Sequence, residues 1–154
     1  MKISINWLKE YVQTDSIPVK ISEILTNLGL EVEKIESFES IKGGLEGVIA
    51  GKVIECIKHP NADRLKLTKI DLGNNQISEI VCGAPNIEKG QIVPVALVGS
   101  KIYTNDGVEI KIKKSKIRGV VSNGMVCAED EIGLGESHDG IMVLDNKIKP
   151  GTPI

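Results

Sequence analysis

Aromatic residues are nearly missing from this sequence. Trp7, Tyr11, Phe38 and Tyr103 are 3% of its 154 residues, too few for a surface that holds nucleic acid mainly by stacking bases. An excess of positive charge is missing too. Nineteen Lys and Arg against 21 Asp and Glu leave a net charge of −2, unlike the overall basicity of a simple nucleic-acid binder. Any RNA footprint must therefore be local. No apolar run approaches the ~20 residues of a membrane helix. Met1-Lys2-Ile3-Ser4 is not followed by the apolar stretch and cleavage site of a signal peptide. A cytoplasmic protein with no membrane partner is expected. Cys56, Cys82 and Cys127 are odd in number and widely spaced, which argues against a disulfide framework and for reduced core thiols. Cys56 and His59 stand three apart, but Cys82, Cys127 and His138 are scattered, so no second pair completes a zinc site. A Gly-rich phosphate loop, a paired-histidine zinc helix and a Gly-x-Ser-x-Gly elbow are also absent. No catalytic residue and no metal ligand is assigned.

What is present is a hydrophobic content of 41%, enough for the core of one domain, or of a small barrel with an appended helical piece. Charge is unevenly distributed: residues 1–40 carry four Lys against seven acidic residues, and residues 41–154 carry fifteen Lys/Arg against fourteen. Ile5, Leu8, Tyr11 and Val12, after the caps Ser4 or Asn6, predict a short helix around Trp7. Pro18 opens a second, Ile21, Ile24, Leu25 and Leu28 give its apolar face, and Gly29 ends it. Leu30-Glu31-Val32-Glu33 alternates like a strand, and Ile41-Lys42-Gly43-Gly44 reads as a linker. The expected division is 1–39, a helical piece, and 40–154, a second domain.

Beyond the linker the helical period gives way to β-rich runs at 47–56, 65–72, 77–82, 92–98, 108–113, 124–128 and 141–144. Gly73-Asn74-Asn75, Gly83-Ala84-Pro85-Asn86, Asn105-Asp106-Gly107 and Asp139-Gly140 supply turns between them. Many short strands point to a barrel. Val108, Ile110 and Ile112 alternate with Glu109, Lys111 and Lys113, which predicts one apolar and one charged face. Leu65 and Leu67 change phase to Ile70 and Leu72, which hints at a bulge or strong coil.

Two basic groups are candidates for phosphate contact. Lys111, Lys113, Lys114, Lys116 and Arg118 put five positive charges in eight residues, a plausible phosphate track; equally, lysines of this kind guard an exposed sheet edge. Lys58, His59, Arg64 and Lys66, with Lys69, flank Pro60-Asn61-Ala62-Asp63, where Asn61 and Asp63 are able to cap a helical turn; a purely structural loop is the alternative. Asn123-Gly124 reads as an exposed turn entering an apolar strand, and the acidic Glu129-Asp130-Glu131 is unsuited to phosphate.

Longer strings carry a resemblance. Met1 to Val12 and Leu28-Gly29-Leu30-Glu31-Val32-Glu33 resemble the opening of bacterial-type phenylalanyl-tRNA synthetase beta subunits. His59-Pro60-Asn61-Ala62-Asp63-Arg64-Leu65, Ile80-Val81-Cys82-Gly83-Ala84-Pro85-Asn86 and Val93-Pro94-Val95-Ala96-Leu97 are similar to the tRNA-binding OB domain of that family. Ile117-Arg118-Gly119-Val120, the run Asn123 to Leu134 and His138 to Leu144 continue it. Two places depart from the pattern: Ile17 stands where the family often has a Ser or Thr cap, and Tyr103-Thr104-Asn105-Asp106 replaces a Pro-Gly-rich loop.

The resemblance implies a mainly β fold, an OB Greek-key barrel with a short N-terminal α-helical piece, α+β overall. It implies auxiliary backbone contacts to phenylalanine-accepting tRNA, and a synthetase alpha subunit as partner in an alpha2-beta2 heterotetramer. It implies ATP and Mg2+ as cofactors of the parent ligase but none in this segment. The helical piece is expected to be completed by chain following the barrel, leaving residues 1–38 under-packed. Two other readings stand beside this one: an inter-subunit scaffold with little RNA contact, and a free-standing tRNA-binding OB protein.

Overall fold

The structure, a computed structural model, describes residues 1–41 and 43–154. It divides into two compact units, Met1–Phe38 and Glu39–Ile154.

The first unit holds α1 (Ile5–Tyr11) and α2 (Pro18–Asn27). Ser4 caps α1, its hydroxyl accepting the Trp7 N–H at 3.4 Å; Asn6 lies inside the helix. Trp7 and Tyr11, four apart and so on one face, meet edge to face with centroids 6.0 Å apart. Pro18 opens α2 behind Ile17, which has no side chain able to cap. Gly29, at φ +88°, stops the helix: its N–H bonds the Thr26 carbonyl at 3.0 Å while the Leu30 N–H returns to Leu25 at 2.9 Å, a Schellman ending that only an αL residue allows. Ile21 alone is buried among the described residues of this unit. The strand expected at Leu30–Glu33 does not form. Alternation over so short a stretch needs a ladder partner, and the Val32 N–H bonds the Thr26 hydroxyl instead.

The second unit is built on β1 (Val48–His59), β2 (Ala62–Asp71), β3 (Ile77–Cys82) and β4 (Ile92–Ala96). Three short pairs follow in sequence: β5 (Lys101–Tyr103) with β6 (Glu109–Lys111), β7 (Ser115–Ile117) with β8 (Val120–Ser122), and β9 (Met125–Val126) against β4. The main sheet is antiparallel, in the order β3-β2-β1-β4-β9. It closes on itself. The Asn123 N–H donates to the Glu79 carbonyl at 2.9 Å, and the Ser122 hydroxyl accepts the Val81 N–H at 3.1 Å, so the β8–β9 segment seals the free edge of β3. Five strands in this order, closed between third and last, make an OB-like Greek-key barrel.

The strand β1 serves two partners, pairing with β4 over Val48–Lys52 and with β2 over Lys52–His59. The register slips between Val53 and Glu55, a bulge that increases coiling where the strand changes partner. The expected phase change in β2 is a different event. Its pairing with β3 is regular from Lys66 to Asp71; Thr68, Ile70 and Leu72 face the core, and Leu65 and Leu67 the other side. The inward Thr68 hydroxyl is satisfied by the Ile80 carbonyl at 2.8 Å.

Two apolar clusters fill the unit. One, inside the barrel, joins Val53, Ile70, Leu72, Ile80, Val93 and Val95; the other joins Leu45, Val48, Ala96, Ile102, Ile112 and Ile132. All of β4 is buried because it lies between them. Cys82 and Cys127 are core residues as expected, but Cys56 is only half-buried. The alternation at 108–113 survives in weakened form, since Ile112 is buried and Ile110 partly so, while Val108 is 59% exposed. The run 141–144 is not a strand; Leu144 makes one isolated bridge to Ile92. Asn123-Gly124 is part of the barrel seam rather than an exposed turn. Of the expected linker, Lys42 lies outside the described residues, and Gly43 and Gly44 sit at φ +80° and +59°.

Candidate nucleic-acid interface

The β1–β2 connection is the turn Pro60-Asn61, with His59 facing Ala62 across the ladder; no helical turn forms, which corrects the capping expected of Asn61 and Asp63. The stretch 111–118 is likewise not one strand. Lys111 ends β6 opposite Lys101 of β5. Ile112 plugs into the core, its N–H on the Ser100 carbonyl at 2.9 Å, Lys113 and Lys114 span to β7, and Lys116 sits on it. Arg118 then takes φ +48° and Gly119 φ +96°, the pair of positive angles that a tight type I′ hairpin turn requires. An arginine costs about 1–2 kcal/mol in that conformation, so the fold holds it there under strain.

His59 joins the two hairpins. It is 4% exposed. Its Nδ1 receives the Asn61 N–H at 3.0 Å, and its Nε2 stands 3.3 Å from the Ile117 carbonyl. A backbone N–H is only a donor, so Nδ1 is the bare nitrogen, and Nε2 carries the hydrogen and donates it to Ile117. The ring is thus neutral and fully engaged. The turns lie close: a Cβ on Gly119 would come 4.0 Å from the Asn61 amide nitrogen. Two basic groups separate in sequence therefore form one surface, with Lys58 and Arg64 on one hairpin and Lys116 and Arg118 on the other, all exposed. Lys111, Lys113 and Lys114, also exposed, lead up to it. Among the described residues none of these seven side chains is in an ion pair, whereas Lys69 and Lys101 are, with Glu55 and Glu109.

Two sequence candidates play different parts. His59, buried with both nitrogens occupied, holds the interface together and presents no charge to a ligand. Lys66 sends its ammonium to the carbonyls of Pro85 at 2.9 Å and Ile87 at 2.8 Å, fixing the β3–β4 loop. Sequence reasoning missed the β7–β8 hairpin, whose signal was a single Gly119 between the β-branched Ile117 and Val120. The acidic cluster stays apart from the basic hairpins, with Glu131 accepting the Ala128 N–H at 2.8 Å and Asp130 bonded to His138 at 2.9 Å.

In OB barrels the loops joining the first two strands and the last two flank the oligonucleotide groove; the hairpins joined by His59 occupy those positions. The family model described as "Putative tRNA binding domain" matches residues 48–153. The chain belongs to this family. Its tRNA-binding domain is most of the barrel unit. Over 99% of its length the chain is 55% identical to a Bacteroides fragilis protein named phenylalanine–tRNA ligase beta subunit, and covers 18% of that relative. The protein of the same name from Chlorobaculum tepidum is 48% identical over 100% of this chain and 19% of its own length. The chain thus spans less than a fifth of the curated relatives it matches. The fold is shared with the crystal structure of a MetRS related protein from Pyrococcus horikoshii, at TM-score 0.50 and 20% identity over 70% of this chain and 87% of that one. Among the described residues no helix is long and apolar enough to cross a membrane.

Proposed function

We propose that the chain gives a phenylalanine–tRNA ligase beta subunit an auxiliary, sequence-indifferent grip on the tRNA backbone. The observation that carries the reading is the His59–Ile117 bond, which merges two unpaired basic hairpins at the loops where an OB barrel meets an oligonucleotide. Phosphate contacts of this kind set affinity and position, not sequence preference. In the complete ligase the chain would act beside an alpha subunit in an alpha2-beta2 cytoplasmic enzyme that charges tRNA with phenylalanine using ATP and Mg2+. Within the barrel unit the Ile154 N–H bonds the Val48 carbonyl at 3.1 Å, which ties residue 154 to the start of β1.

A salt titration of tRNA binding by the 154-residue chain tests the grip. With about three or four phosphates contacted, affinity should fall by about one to one and a half logs between roughly 50 and 200 mM salt. Salt-independent binding, or none at low salt, overturns the reading. A second reading, an inter-subunit scaffold, is favoured by the exposed Ile57, Ile77, Val98, Val108 and Val143 of the barrel unit. Deleting residues 45–150 from the complete ligase separates the two. Weaker tRNA affinity with assembly intact supports the grip; lost assembly with tRNA affinity intact supports the scaffold.

A further inference from the structure

A second cluster of positive charge shares Lys58 with the joined hairpins and extends from it to the β3–β4 loop. Cys56, Ile57 and Lys58 at the end of β1, Lys66 of β2, and Ile87, Glu88 and Lys89 of the β3–β4 loop line a groove of about 220 Å3. Lys58 and Lys66 are direct cross-strand partners, so their side chains share a face. Cys56, two residues before Lys58, shares it as well. The loop forming the opposite wall is pinned at one atom from two directions. The Ile87 carbonyl accepts the Lys66 ammonium at 2.8 Å and the Cys56 thiol at 3.7 Å, while Lys66 also holds Pro85. Ile87 itself is 0% exposed and anchors the loop in the core.

The charge pattern is what asks for a ligand. Lys66 is half-buried, yet its two partners are neutral carbonyls. An ammonium has three N–H donors, so one remains, and a partly desolvated cation beside dipoles alone still favours an anion. Lys58 and Lys89 add two exposed charges across the groove, and among the described residues none of the three lysines is in an ion pair. Glu88 supplies the one negative group in the lining. The space suits a phosphate with part of its sugar.

We propose that this groove seats one backbone phosphodiester of a bound polynucleotide, Lys58 and Lys89 contacting the phosphate oxygens and Lys66 directing its remaining N–H between them. The proposal rests on the tRNA-binding reading and extends it. Lys58 belongs to both surfaces, so a strand crossing the hairpin tips continues past it along β1 to Lys89, a residue the sequence pattern did not single out. Lys66 contacts the ligand and also positions the loop.

Cys56 provides the measurement. It is the half-buried thiol of the groove, whereas Cys82 and Cys127 are buried. The 154-residue chain is alkylated with iodoacetamide with and without saturating total tRNA, and Cys56 modification is followed by peptide mass. Binding of tRNA is expected to slow Cys56 alkylation several-fold, at tRNA concentrations that track the binding curve. Lys89→Gln is expected to abolish that protection and to lower the salt slope of tRNA binding by about 0.7, with an unchanged melting temperature. Lys66→Met risks loosening the loop, so Lys66→Arg, which keeps the charge and its donors, serves beside it and should retain protection. Wild-type tRNA binding combined with unprotected Cys56 and an unaltered Lys89→Gln slope overturns the groove and leaves the hairpin grip standing. Absence of salt-dependent binding by the wild type overturns both.

Discussion

Single residues on the barrel carry consequences that their neighbours decide. The Asp130 carboxylate, bonded to His138 at 2.9 Å, holds that imidazole above the ordinary histidine range, first through the hydrogen bond and then through its charge. A group whose folded pKa is raised stabilises the fold fully below its unfolded value and loses that contribution as pH rises through the folded one. Melting temperature should therefore fall slightly from about pH 6.5 upward, and His138→Gln should remove that part of the decline. The effect is small because the histidine side chain is 74% exposed. Burial pushes the Cys127 thiol up to about 12, so by the same sign stability drops again above about pH 9 as thiols ionise in the unfolded chain. Gly51 is constrained sterically instead. A Cβ there would sit 2.5 Å from the Ile70 side chain and 2.9 Å from that of Val95. Gly51→Ala should destabilise the barrel by about 1–3 kcal/mol through overpacking, read as a lower denaturation midpoint at unchanged slope.

Elements differ in how openly the sequence announces them. α2 was readable because proline, apolar spacing and glycine all agree at Pro18, Ile21 and Gly29, and β3 at 77–82 was bounded by turn residues on both sides. The strands β5, β7 and β8 are three residues each, too short to show a period, and Leu30–Glu33 showed one without a partner to use it. The interface was half legible. Its charges stand in the sequence, but their meeting depends on a contact across 58 residues, which spacing does not encode. That contact is testable at the level of the two hairpins. His59→Ala removes no charge, yet it unties the hairpins and leaves the Ile117 carbonyl without its partner, at a cost of about 1–3 kcal/mol. Affinity for tRNA and its salt slope should both fall; a variant with wild-type affinity would show that the hairpins act separately.

At the scale of the molecule, both apolar clusters lie within Glu39–Ile154, while Met1–Phe38 buries only Ile21 among the described residues. Residues 39–154 alone should therefore melt cooperatively at nearly the temperature of the whole chain, and a 1–38 peptide should show little helix by circular dichroism, since helices this short are marginal without packing. A large drop in melting temperature on removing 1–38 would refute this. The divided pairing of β1 reaches further. Because its opening residues hydrogen-bond β4 and its closing residues β2, neither flank of the barrel is able to peel away while leaving that strand with a full set of bonds. Its amides are thus guarded by the whole fold rather than by any local piece of it, and in hydrogen exchange they should be the last to yield, together and at the global rate.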